Sequence, residues 1–169
     1  MHPKIIIRIA VPKDTVLVLR FIQELAEYEH LSESVFMTEE ILYEWISSHW
    51  VEVLLAEFQG ETVGFALYYF TYSTFRGQPG IYIEDLFVRP QFRNLGIGTS
   101  FFRELARIAQ SRGCFRLDWM VLDWNSNSIA FYKKLGAYPV EDWTTFRLDG
   151  KALEHLADSA ASELSSKRQ

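Results

Sequence analysis

The chain is 169 residues long, 49% hydrophobic and 15% aromatic, enough for one compact α/β domain with a sizeable core and too short for two ordinary ones. A formal net charge of -5 argues against nonspecific nucleic-acid binding and suits either a cationic ligand or a solvated acidic face. The lone cysteine, Cys114, closes no intramolecular disulfide and has no Cys/His cluster around it, and no apolar run is long enough for a signal-peptide core or a membrane span; a cytoplasmic protein without metal or membrane partner is expected.

Ile5 to Val11 reads as a first strand, followed by a turn in which Asp14 is placed to cap a helix. Val16, Leu19, Ile22 and Leu25 or Ala26 recur at helical spacing as far as Tyr28. That helix ends in Glu27, Tyr28, Glu29 and Glu33, where negative charge opposes the helix dipole; the segment is either a solvated end or a place for a ligand or partner. Thr38 opens a second helix through Ile41, Leu42, Trp45 and Ile46. Trp50 to Phe58 and Thr62 to Phe75 form two strand-like runs joined at Gln59, Gly60 and Glu61.

After a turn from Arg76 to Gly80, Ile81 to Val88 reads as a buried strand that stops at Pro90. Arg93-Asn94-Leu95-Gly96-Ile97-Gly98 then turns into a helix carrying Phe101, Phe102, Leu105, Ile108 and Ala109 on one face, which Arg112 and Gly113 close. Free amides at the positive end of a helix make an anion site, with a phosphate the expected client. Cys114 to Trp124 is again strand-like, and the intervening helix predicts a parallel, right-handed crossover with the strand ending at Val88. Asn125 caps a short helix from Ser126 to Leu135, ended by Gly136. Thr144 to Leu148 is a candidate last strand, and Asp149 begins a short helix through Leu153 and Leu156. From Ser159 the Ala/Ser-rich sequence lacks an apolar stripe, so the expected division is one domain over 1–158 and an unstructured tail over 159–169.

The phosphate turn is not a P-loop, because Thr99 and Ser100 follow Gly98 with no lysine to reach a nucleoside triphosphate. It is not the dinucleotide fingerprint either, because Phe101 stands where a third glycine or alanine is needed. The spacing Arg93-x-x-Gly96-x-Gly98 resembles the acyl-CoA-binding signature of the GNAT acetyltransferase superfamily. The segment Asn125 to Ala137, with Asn125, the aromatic pair Phe131 and Tyr132, and the helix-ending Gly136, is similar to that superfamily's other signature. Glu24 to Glu29, Val63 to Tyr72 and Tyr82 to Val88 narrow the likeness to the diamine (spermidine/spermine) acetyltransferase branch, over about Ile7 to Leu148.

The resemblance implies an α/β (α+β) fold: a mixed, mostly antiparallel central sheet with a parallel pair of strands at the acyl-CoA site, flanked by helices. It implies a homodimer that transfers an acetyl group from acetyl-CoA, without metal, to a primary amine of a polyamine or diamine. A lysine-like amine such as thialysine, a peptide amine, and an acyl-CoA-binding module without turnover stand as alternatives. Such a reaction must deprotonate an ammonium with a pKa of about 10, stabilise an oxyanion and protonate a departing thiolate.

By resemblance, Leu86, Phe87 and Val88 meet the pantetheine arm. Arg93, Asn94, Leu95, Gly96, Ile97, Gly98 and Thr99 surround the pyrophosphate, and Asn125, Ser126, Asn127 and Ser128 add cofactor contacts, with helix capping the other reading of Asn125. Glu84 is expected to hold the amine and accept its proton, and Tyr132 to act as general acid. Because adjacent strand residues point to opposite faces, Asp85 is expected to be a structural carboxylate. Tyr28, Glu29, Asp118, Trp119, Met120 and Glu141 complete the expected acceptor site, whose carboxylates would attract a cation. Cys114 is expected to be an inert thiol, with no histidine near it in sequence.

Overall fold

The computed structural model describes residues 4–166, with side chains described as far as residue 159. The elements in order are β1 (Ile5–Ile9), α1 (Thr15–Tyr28), α2 (Glu39–Ser47), β2 (Glu52–Phe58), β3 (Glu61–Ser73), β4 (Gln78–Val88), α3 (Ile97–Ser111), β5 (Leu117–Trp119), α4 (Ser126–Lys134) and α5 (Gly150–Ser166). By its internal contacts the chain divides into two compact units, Met1–Ile129 and Ala130–Gln169, where the sequence predicts one domain to residue 158.

In the first unit the five strands form one sheet in the order β1-β2-β3-β4-β5, antiparallel except for the β4-β5 pair. The expected mixed sheet with its parallel pair is therefore present. One face of the sheet, with Val53, Leu55, Phe65, Leu67 and Phe87, packs against Val18 and Phe21 of α1 and Leu42 and Ile46 of α2. The other face takes α3, whose Ile97, Phe101, Phe102, Leu105 and Ile108 are buried, as its sequence spacing predicts.

Local chemistry explains the joints. Thr38 caps α2 by accepting the Ile41 N–H at 3.3 Å. Asp14 behaves differently from expectation. It makes no side-chain cap on α1; it is buried and takes Arg8 in a two-pronged ion pair at 2.8 and 3.0 Å, plus the Val11 N–H at 2.9 Å. A guanidinium fork outcompetes one backbone amide for a short carboxylate. The β2-β3 hairpin turns on Gln59 and Gly60, both at positive φ, which matches the twist of the two strands. Gly64 is required by close approach: a Cβ there would lie 2.6 Å from the Phe87 carbonyl oxygen and 3.2 Å from Val88 Cα.

Two expected strands differ. Cys114 to Trp124 shrinks to Leu117–Trp119, because β4 bulges immediately past its last β5 pair, Ile83 with Trp119, and turns its edge away. Thr144 to Leu148 forms no strand; its period-2 pattern specifies faces but supplies no neighbour for its hydrogen bonds. In the second unit α5 continues to Ser166, past the point at Ser159 where a tail is predicted, and residues 167–169 of that tail lie outside the described residues. No helix among the described residues is long and apolar enough to cross a membrane.

Candidate active site

The site begins where β4 and β5 part. Pairing stops at Ile83 with Trp119, so Asp85 to Val88 keep β3 on one edge and have no strand on the other among the described residues. Unpaired strand groups of this kind can receive an extended amide-containing chain by adding hydrogen bonds. Leu86, Phe87 and Val88 are the residues so presented, held from behind by Ala66, Phe65 and Gly64.

Past β4 the chain makes a short 3-10 turn at Pro90–Phe92 and reaches Asn94 at φ 62° and Gly96 at φ 88°. Nothing crowds Gly96 beyond Ile5 Cδ1 at 4.0 Å, so glycine is favoured there by backbone conformation rather than by lack of space. The hydrogen-bond ladder of α3 opens with the Ser100 N–H on the Gly96 carbonyl at 3.0 Å, and no side chain caps the helix. Ile97, Gly98 and Thr99 therefore present amides without an intrahelical acceptor, at the positive end of a helix of 15 residues. That donor set fits a pyrophosphate.

Arg93 is placed otherwise than a phosphate clamp. Its Nε donates to the Val88 carbonyl at 2.9 Å, and its guanidinium lies over the rings of Tyr28 at 4.3 Å and Phe87 at 5.7 Å. The Arg93 side chain thus joins the turn to the end of α1. Arg89 does similar work one turn earlier, gripping Glu24 of α1 at 2.8 Å through two nitrogens and Glu61 at 2.9 Å. Asn125 is buried and accepts the Ser128 N–H at 3.2 Å, so its capping reading holds, with Ser126 and Asn127 in the first turn of α4.

The placement of the residues expected on the acceptor side is decided by the bulge. Tyr68 pairs with Ile83 and Leu67 with Asp85, leaving Glu84 as an extra residue opposite neither. Asp85 shares the face of its partner Leu67, which belongs to the α1/α2 core. Glu84 accepts the Tyr69 hydroxyl at 3.3 Å, and Tyr69 lies two residues from Leu67 on that same face. The two carboxylates therefore do not point apart, which corrects the alternation expected for them. Glu84 is exposed; Asp85 is sheltered, and burial together with Glu84 and Glu29 pushes its carboxyl up to about 7. Burial also raises Glu29, at the C-terminal end of α1, and lifts the Tyr69 phenol to about 12 with Glu84 adding to it.

Tyr28 sits among Phe87, Trp124 and Arg93, with ring centroids 6.2 Å from Phe87 and 6.0 Å from Trp124. Asp118 pairs with Arg116 at 2.6 Å, so its charge is already answered within the chain. Trp119, the next residue, packs on the α3 side against Phe102 with centroids 5.0 Å apart, where a substrate wall is expected from the sequence. Met120 is exposed beyond the end of β5. Tyr132 and Glu141 belong to the second unit, where the Tyr132 carbonyl accepts from Leu135 and Ala137 and its ring lies 5.5 Å from Phe131. Sequence reasoning missed Tyr69, Trp124 and the placement of Asp85. Period 2 could have put Tyr69 on the Leu67 face, but nothing local announces the register that brings it to Glu84.

A parallel strand pair that opens at a bulge, a free helix N-terminus beside the opening and carboxylates on the neighbouring face are the arrangement that the resemblance to acyl-CoA-dependent transferases of amines implies. Residues 18–137 match the model of the acetyltransferase (GNAT) family, and the chain belongs to that family. It is an acetyl-CoA-dependent N-acetyltransferase. The chain is similar to the thialysine N-epsilon-acetyltransferase of Bos taurus, 40% identical over 166 residues covering 90% of this chain and 97% of that one. It is also similar to a human spermidine/spermine N(1)-acetyltransferase-like protein 1, 32% identical over 83% of this chain but only 22% of that one. An integron cassette protein from V. cholerae shares the fold with a TM-score of 0.75 and 29% identity, covering 90% of this chain and 97% of that one.

Proposed function

We propose that this enzyme acetylates the terminal primary amine of a lysine-like amino acid, with thialysine as the representative acceptor. The observation that carries the reading is the 40% identity to the bovine thialysine enzyme across nearly the full length of both chains. A polyamine or diamine acceptor is the second reading, supported by the likeness to the human spermidine/spermine protein. Glu84 with its Tyr69 partner, Asp85 and Glu29 support a cationic acceptor in either case.

Acetyl-CoA, when bound, supplies the activated acetyl group. Leu86 to Val88 would hold its amide-bearing arm along their open edge, the amides of the Asn94 to Thr99 turn would hold its pyrophosphate, and Asn125 to Ser128 would add further contacts. Glu84 holds the acceptor ammonium at the start of that edge. From an ammonium and a thioester to an amide and a thiol, the nitrogen gives up two protons and the sulfur gains one. One proton leaves through a carboxylate to solvent. The other is handled by the Tyr132 hydroxyl, which gives its proton to the departing sulfur and recovers one from the nitrogen, a role open to a phenol because its proton is held at neutral pH.

Thiol release from acetyl-CoA, measured across thialysine, lysine, spermidine, putrescine and a lysine peptide, tests the reading. A kcat/KM for thialysine at least tenfold above the rest is expected. Preference for spermidine selects the second reading, and no release with any acceptor would leave an acyl-CoA-binding module.

A further inference from the structure

We propose that Asp85, rather than Glu84, takes the proton from the acceptor amine, while Glu84 and Tyr69 anchor the ammonium beside it. The inference rests on the amine-acetyltransferase reading and assigns a residue within that site.

The bulge creates the arrangement. Had β4 kept regular alternation past Ile83, one carboxylate would face α3 and the other α1; the extra residue brings both to the α1/α2 face. Their surroundings then separate them. Glu84 is exposed and accepts the Tyr69 hydroxyl at 3.3 Å, which suits an anion that waits for a cation. Asp85 is sheltered, and no hydrogen bond or ion pair answers its charge among the described residues.

The ionisable groups that face Asp85 are the carboxyls of Glu84 on its own strand and Glu29 from the end of α1, with the Tyr69 phenol on β3 beside Glu84. Arg93, the cation of the neighbouring turn, is committed to the Val88 carbonyl and the Tyr28 and Phe87 rings. A sheltered carboxylate with two carboxyl neighbours and no cation is costly as an anion and comfortable as an acid. It therefore gains from either event on the acceptor side, arrival of an ammonium or receipt of its proton.

Proton transfer also favours such a group. Against an ammonium of pKa about 10, a carboxylate near 4.3 in water leaves the free amine disfavoured by a factor of about 10⁶. The Asp85 carboxyl at about 7 reduces that to about 10³. The step is R–NH3⁺ plus Asp85–COO⁻ giving R–NH2 plus Asp85–COOH. The neutral amine then attacks, and Asp85 returns its proton to solvent.

Two measurements on the full chain decide it. With aspartate carboxyls labelled in ¹³C, the wild-type spectrum should contain one carboxyl with a midpoint near 7, absent in Asp85→Asn. In kcat/KM for thialysine, or for whichever acceptor of the panel turns over best, an acidic limb with the same midpoint is expected. Asp85→Asn should abolish that limb and lower kcat/KM at least a hundredfold with acetyl-CoA affinity retained. Glu84→Gln should raise KM and keep the limb, and Asp85→Glu should keep a displaced limb, which also serves should Asp85→Asn fail to fold. An Asp85 carboxyl titrating below pH 5, or an unaltered limb in Asp85→Asn, overturns the inference while leaving the acetyltransferase reading intact. Absence of thiol release from wild type with every acceptor instead sinks the reading on which it rests.

Discussion

The donor and acceptor sides of the site are built from different parts of the polypeptide. On the proposed donor side, recognition would fall to the backbone: unpaired amides at the start of α3, an open strand edge from Leu86 to Val88, and a glycine at φ 88° that lets the chain make the turn. On the proposed acceptor side it would fall to side chains, Glu84, Asp85, Glu29, Tyr69 and Tyr28, whose behaviour depends on which of them share a face and which are sheltered. Backbone donors tolerate sequence change as long as the turn forms. Side-chain clusters can change client by a single substitution, so the donor should be common to the family and the acceptor particular to each member.

The largest effect that would test this division is expected from Tyr132→Phe. Turnover should fall by roughly 10²–10⁴ with acetyl-CoA affinity nearly unchanged, by thiol release and calorimetry respectively. Equal losses in both would move Tyr132 to the donor side. Gly64→Ala should come next, because its methyl group meets the Phe87 carbonyl at 2.6 Å and must displace the strand edge proposed to receive the donor. A loss of about 1–3 kcal/mol in unfolding free energy, with weakened acetyl-CoA binding, is expected; an undisturbed variant would show that β4 has room to move.

Asp85→Asn should then change stability in a pH-dependent way. The folded chain keeps the Asp85 proton up to about pH 7, whereas an unfolded carboxyl releases it near 3.8. Folded protein therefore binds more protons between those values, and this group's contribution to stability falls as pH rises through that window. The variant escapes that fall, so its Tm relative to wild type should be most favourable above pH 7 and less so toward pH 4. A pH-independent difference would argue that Asp85 is not sheltered. The smallest effect is expected from Tyr69→Phe, which leaves Glu84 in place without its donor: a two- to fivefold rise in KM for the amine, about 0.5–1 kcal/mol, with donor binding unchanged.

The donor side was the more legible of the two in sequence. Gly96 and Gly98 two positions apart, an apolar strand before them and an amphipathic run from Phe101 to Ala109 state their structure locally, because turn chemistry and helical period act over a few residues. Even so, Arg93 escaped such reading: its sequence neighbours suggest a phosphate partner, while its side chain is held by Val88 and Tyr28. Thr144 to Leu148 taught the same lesson from the other direction, since alternation is local but a strand needs a partner.

By itself, then, the sequence determined the sheet-and-helix order of the first unit, the glycine turn before α3 and the family, all of which are written in short-range pattern. Only the tertiary structure decided that Glu84 is the extra residue of a bulge, that Asp85 joins it on the α1 face, and that β5 ends at Trp119. Strand register is the physical reason. It is set by packing between segments distant in the chain, and a slip of one residue moves a carboxylate from one face of the sheet to the other.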